Sequence, residues 1–263
     1  MSSKSHGDLK KYVPKLKKKI SSETFEKIES ERKKKSTFHL SIKKYCKNLP
    51  TSIISPVLSI KGKKCQLYIT NCVGASDEKE LKKIGVTHAV DLSETSKRVR
   101  GIEYMNITEN IPDESNYPIV EKIGKRVVEF ISDTLRKSDE HVVLVYCAMG
   151  ISRSATTILQ YLMHTGMSLK EGWTHLRSCR SFVNPNLGFW DQLSNLEMKM
   201  TGKRSMSTHD YVMSELLEFW PSIGPDFAEI VADRVLKIPF EEMITGTFLD
   251  AAVKSLEMSN EVS

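Results

Sequence analysis

Residues 141–163 read HVVLVYCAMGISRSATTILQYLM, and the pattern changes twice within that stretch. HVVLVY (141–146) is a continuous apolar run, which predicts a strand buried on both faces. ATTILQYLM (155–163) predicts a helix. Between them Cys147 stands six residues before Arg153, with Gly150 in the connection and Ser152 and Ser154 flanking the arginine. A tight loop running from a buried strand into a helix is suited to binding phosphate. Gly150 lets the chain bend sharply. The backbone N–H groups of Ala148, Met149, Gly150, Ile151, Ser152 and Arg153 can then converge on a dianion, and the helix turns its positive end to the same point. That field favours Cys147 as a thiolate, the form that attacks phosphorus and makes a cysteinyl-phosphate. The planar fork of Arg153 matches two phosphate oxygens and holds charge in the transition state. Ser154 or Ser152 donates a hydroxyl hydrogen bond to the sulfur as it leaves. A cysteine six residues before an arginine recurs by chance; the strand, glycine, Ser-Arg-Ser and helix around it make the reading specific.

Working outward, strands and helices alternate. CQLYIT (65–70), VTHAVDL (86–92) and IEYMNI (102–107) read as strands. DEKELKKI (77–84) reads as a short helix capped by Ser76 and ended at Gly85. Ile119, Ile123, Val127, Val128, Ile131 and Leu135 recur at helical spacing. Ser168 and Glu171 form a capping box ahead of Trp173 and Leu176, and a last helix places Phe189, Leu193, Leu196 and Met200 on one face. This order predicts an α/β domain, a central sheet flanked by helices, over about residues 55–200.

Hydrophobic residues make up 40% of the 263-residue chain, and no apolar run approaches the roughly 20 residues that cross a membrane. The first residues, MSSKSHGDLKKY, lack the apolar stretch of a secretion signal. Five cysteines with no CxxC pair do not suggest a disulfide framework or a metal site, so a reducing cytoplasmic or nuclear setting is expected, with no metal or cofactor. Residues 1–50 hold 15 Lys/Arg against 5 Asp/Glu, a net +10, while residues 205–263 hold 3 against 11, a net −8. Three zones follow: a basic, partly disordered extension over 1–54, a catalytic domain over 55–204 and an acidic helical extension over 205–263.

The segment 141–163 resembles the signature of dual-specificity phosphatases, strand, Cys-x-x-Gly-x-Ser-Arg-Ser loop and helix together. LYITNCVGASDEKELKKIGVTHAVDLSE (67–94) resembles that family's opening strand, helix and second strand, and NPNLGFWDQLSNLE (184–197) its closing helix. The resemblance implies the protein tyrosine phosphatase-like fold, a shallow pocket admitting phosphotyrosine and phosphoserine/threonine, and a two-step hydrolysis without metal. It also implies a general acid, an Asp on the loop before the long helix. Asp113 stands at the expected distance before Ile119 and Val120; Glu109 is the alternative. One departure is Tyr146, where the family usually has a His supporting the thiolate. With that residue, a phosphatase-fold module that binds phosphoproteins with little or no turnover is an alternative. A phosphatase of RNA 5′ ends or phosphoinositides is another, suggested by the basic extension.

Other residues read as structural. His141 reads as a solvated residue at the strand entry, and His88 as a strand residue without an acidic neighbour in sequence. Asn184 and Asn186 shape the loop under the site, Trp173, Trp190 and Trp220 belong to core, and a disulfide of Cys65 or Cys72 with oxidised Cys147 is disfavoured. Arg32, Lys33, Lys34 and Lys35, followed by Phe38-His39-Leu40, resemble docking peptides that bind an acidic groove on MAP kinases. The same run suits nuclear import, anionic lipid or RNA.

Overall fold

A computed structural model of the chain describes residues 53–59, 65–93, 98–219 and 224–237. The expectations for the basic extension and Trp220 lie outside the described residues. Two compact units are present, one holding the described residues up to Thr208 and the other those from His209.

In the larger unit β1 (Ser55–Ser59), β2 (Cys65–Asn71), β3 (His88–Asp91), β4 (Glu103–Tyr104) and β5 (Val143–Cys147) form one sheet in the order β1-β2-β5-β3-β4. β1 is antiparallel to β2; the other pairings are parallel. The apolar run chosen from the sequence is therefore the central strand. All five of its residues are buried, as a parallel strand covered on both faces requires. The third expected strand is shorter than IEYMNI suggests: only Glu103 and Tyr104 pair, because β4 is an edge that meets β3 at two positions.

The helices of this unit are α1 (Glu78–Ile84), α2 (Lys125–Lys137), α3 (Arg153–His164), α4 (Leu169–Cys179) and α5 (Leu187–Thr201). Alternation along β5 sends Leu144 and Tyr146 into a cluster with Leu81 of α1, Val86, Ala89 and Val142. Val143 and Val145 are wholly buried as well. Trp173 and Trp190 meet edge-to-face at 5.2 Å, so both are core, as expected. The helix before β5 begins as a wider π turn over Val120–Gly124, where Gln160 of α3 donates to the Val120 carbonyl.

Two caps and faces differ from the sequence reading. Asp77, not Ser76, caps α1 by accepting from the Glu80 N–H, while the Ser76 hydroxyl turns back to the Cys72 carbonyl. On α5, Met200 is 43% exposed, and the buried position belongs to Glu197. Its carboxylate accepts from the Leu169 N–H, the Ser205 N–H and the Ser205 hydroxyl, which is how a buried charge is tolerated there. The capping box of Ser168 and Glu171 forms as expected.

The second unit contains α6 (Thr208–Phe219), apart from its first residue, and α7 (Pro225–Val235). His209 Nε2 there lies 3.4 Å from Glu229 Oε1 and 3.9 Å from Asp233 Oδ1. No helix among the described residues is long and apolar enough to cross a membrane.

Candidate active site

The parallel pairings bring Asn71 opposite Cys147 and Asp91 opposite Tyr146, so β2, β5 and β3 end together. A crevice beyond the carboxyl ends of parallel strands is where α/β proteins place ligands, and Cys147 is the last residue of β5. Cys147 is 1% exposed. The Gly150 N–H donates to its sulfur at 3.2 Å, and the Ser154 hydroxyl lies 3.3 Å away. The loop thus wraps round the sulfur.

The loop is held in that shape from outside. Ala148 O accepts from the Cys72 thiol at 3.2 Å, Gly150 O from Arg180 Nε at 3.0 Å and Ile151 O from the Asn184 N–H at 2.9 Å. A planar trans peptide points its N–H opposite its C=O. Three carbonyls pinned outward therefore turn the N–H groups of Met149, Ile151 and Ser152 inward. Gly150 has φ +67°, and a Cβ there would sit 2.6 Å from the Thr70 carbonyl oxygen. Arg180 also donates to Ile53 O and Ser55 Oγ, so one buried guanidinium joins the loop to the start of the described domain. The sequence offered no signal for this, since Arg180 lies 30 residues from Gly150. Burial pushes the Cys72 thiol up, and the neighbouring Cys147 adds to the effect, so Cys72 remains a protonated donor.

Arg153 opens α3, is 9% exposed, and donates through Nη1 to Leu92 O and Ile111 O, both at 2.9 Å. Those bonds orient the guanidinium plane toward the loop that carries Asp113. Asp113 Oδ2 stands 3.8 Å from Arg153 Nε. Asp113 Oδ1 accepts from the Ser152 hydroxyl at 2.6 Å and from Asn186 Nδ2 at 2.9 Å. Of the two serines named from the sequence, Ser154 therefore faces the sulfur and Ser152 faces the carboxylate. The fold gathers Cys147, Arg153, Asp113, Ser152 and Ser154 at one place.

Glu109 is engaged elsewhere. It forms an ion pair with Arg126 of α2 and accepts from the Thr108 N–H. Backbone N–H groups above all, with the Arg126 guanidinium, hold its carboxyl below the usual carboxylate range. Tyr146 is wholly buried in the α1-side cluster. His141, expected in solvent, is half-buried, bonds the Thr134 carbonyl through Nδ1 and packs at 4.6 Å on His88. His88 does have an acidic neighbour: Glu103, brought beside it by the β3–β4 pairing, lies 3.5 Å from Nε2.

Over residues 67–199 the chain matches the family described as dual specificity phosphatase, catalytic domain. It is similar to dual specificity protein phosphatase 18 of Homo sapiens, 31% identical over 148 residues that make up 53% of this chain and 73% of that protein. It is similar also to dual specificity protein phosphatase 1 of Arabidopsis thaliana, 31% identical over 135 residues, 51% of this chain and 67% of the other. Among solved structures, human DUSP28 aligns at 27% identity and a TM-score of 0.47, over 51% of this chain and 89% of that one.

Proposed function

The chain belongs to the dual-specificity protein phosphatase family, and from that premise we propose that it hydrolyses phosphotyrosine and phosphoserine/threonine in proteins through a cysteinyl-phosphate on Cys147. The observation that carries the assignment of roles is the Cys147 sulfur ringed by the Gly150 N–H and the Ser154 hydroxyl, with Arg153 and Asp113 beside the same loop.

In the first step the thiolate attacks phosphorus. The bond from phosphorus to the leaving oxygen breaks with its electrons on oxygen, and Asp113 transfers its proton there, becoming a carboxylate. The inward N–H groups of Met149, Ile151 and Ser152 and the Arg153 guanidinium hold the phosphoryl oxygens. In the second step water attacks phosphorus, gives a proton to the Asp113 carboxylate, and the phosphorus–sulfur bond breaks. Ser154 then donates its hydroxyl hydrogen bond to the departing thiolate. The product is inorganic phosphate, and the loop supplies every electrophilic group these steps use.

The test is turnover of phosphotyrosine and phosphothreonine peptides with a chelator present, for wild type and Cys147→Ser. Chelator-insensitive turnover, blocked by vanadate and abolished by Cys147→Ser, is expected. Activity surviving Cys147→Ser, or lost to the chelator, overturns the mechanism. Turnover confined to triphosphorylated RNA or phosphoinositide assigns a different substrate. Phosphopeptide binding without turnover identifies a binding module. Roles in signalling in the cytoplasm or nucleus, and docking of a MAP kinase through Arg32–Lys35 and Phe38-His39-Leu40, belong to the same proposal.

A further inference from the structure

Asn186 is wholly buried and caps α5 by accepting from the Phe189 N–H through Oδ1 at 2.9 Å. For capping alone, Asp or Ser would serve as well. What Asn adds is a second, opposite function at the other end of its amide. A backbone N–H can only donate, so the atom facing Phe189 is the oxygen and the other is the NH₂ group. That group donates to Asp113 Oδ1 at 2.9 Å. Asn186 reaches the same carboxylate by a second route: its backbone N–H donates to Ser152 Oγ at 3.2 Å, and the Ser152 hydroxyl donates to Asp113 Oδ1 at 2.6 Å. The loop carrying Asp113 is also pressed against the start of α5, because a Cβ on Gly188 would lie 1.8 Å from the Ser115 carbonyl oxygen.

We propose that Asn186 is a positioning residue for the proton donor, fixing Asp113 through Oδ1 so that the transferable proton sits on Oδ2. The inference rests on the reading of Asp113 as that donor. Two donors on Oδ1 leave no favourable place for a proton there, so the acid form carries it on Oδ2, the oxygen 3.8 Å from Arg153 Nε. Arg153 is the residue proposed to hold the phosphoryl oxygens, so Oδ2 is the oxygen turned toward the leaving group. When the Oδ2–H bond breaks and the proton passes to the leaving oxygen, Asp113 becomes a carboxylate. The bonds from Asn186 and Ser152 then become charge-assisted and strengthen.

The experiment compares an alkyl phosphate with para-nitrophenyl phosphate, whose leaving group needs little protonation, in wild type, Asp113→Asn, Asn186→Asp and Asn186→Ser. The last two keep a capping oxygen and lose the amide donor. In Asn186→Asp and Asn186→Ser, kcat on the alkyl phosphate is expected to fall roughly 10- to 100-fold, part of the general-acid contribution. The loss on para-nitrophenyl phosphate should be far smaller. A steep leaving-group dependence in Asp113→Asn but not in the Asn186 variants overturns the positioning role and leaves the donor standing. A flat dependence in Asp113→Asn removes the donor itself. A second readout needs neither turnover nor a stable Asn186 variant. In the full chain the side-chain amide of Asn186 should show one proton displaced in its NMR resonance by the bond to Asp113, and Asp113→Asn should move it. An amide resonance indifferent to Asp113→Asn overturns the proposal.

Discussion

Glu109 and Asp113 lie on one loop, carry the same chemical group, and stand in opposite surroundings. Glu109 is an ionised partner of Arg126 with no proton to give. Asp113 has one oxygen occupied by donors and the other turned toward Arg153. We therefore expect Asp113→Asn to lower turnover of an alkyl phosphate by roughly 10²- to 10⁴-fold, the usual contribution of a general acid. Glu109→Gln should change it by about twofold or less, since it removes only a half-exposed ion pair. Steady-state kinetics of both variants check this, and the larger loss in Glu109→Gln would reverse the assignment. Ser152 and Ser154 are distinguished in the same way, by what the first turn of α3 places opposite each hydroxyl.

At the scale of elements, β5, its loop and α3 form the working unit, and neighbouring elements clamp it. β2 contributes Thr70 and the residue after its end, Cys72; the segment after α4 contributes Arg180 and Asn184; α5 contributes its cap. The edge pairing of β3 with β4 has a pH consequence away from the site. Burial above all lowers the proton affinity of His88, Glu103 opposes this, and His141 and Lys137 add to it. The folded state thus holds His88 neutral below the ordinary value of 6.5, where the unfolded chain binds a proton. Stability from this residue is present above that value and is lost as pH falls through the window beneath it. Urea unfolding midpoints at pH 7.5 and 5.5 should therefore fall less on acidification in His88→Gln than in wild type. An unchanged difference would remove His88 from the acid sensitivity.

On the scale of the whole molecule, the catalytic unit is anchored at Ile53, whose carbonyl accepts from Thr70 and Arg180. Residues before it carry the net +10. Deleting residues 1–50 spares that anchor, so hydrolysis of para-nitrophenyl phosphate should stay within about twofold of the full chain. Binding to an acidic partner should weaken, with a salt dependence set by screening over about 8 Å at physiological ionic strength. Kinetics and titration of an acidic docking-groove protein at two salt concentrations measure both. Equal loss of small-substrate activity would show that the basic extension is part of the catalytic unit.

The central strand, the loop carrying Cys147 and Gly150, and the helix opened by Arg153 were legible in residues 141–163, and the strands and helices around them in the rest of the chain, because spacing along the chain sets them; the five-residue edge strand β1 was not, its pattern being too short to read. Strand alternation and helix periodicity are local, and a loop of a few residues cannot carry its ends far apart. Other features depend on pairings between distant segments. Which carboxylate faces the loop depends on α2 placing Arg126 beside Glu109 and α5 placing Asn186 beside Asp113. Arg180 reaches Gly150 across 30 residues, and His88 meets Glu103 only because β3 lies beside β4. A polar side chain finds its partner through packing of the elements, so its hydrogen bonds, and with them the chemistry open to it, are decided by the tertiary structure.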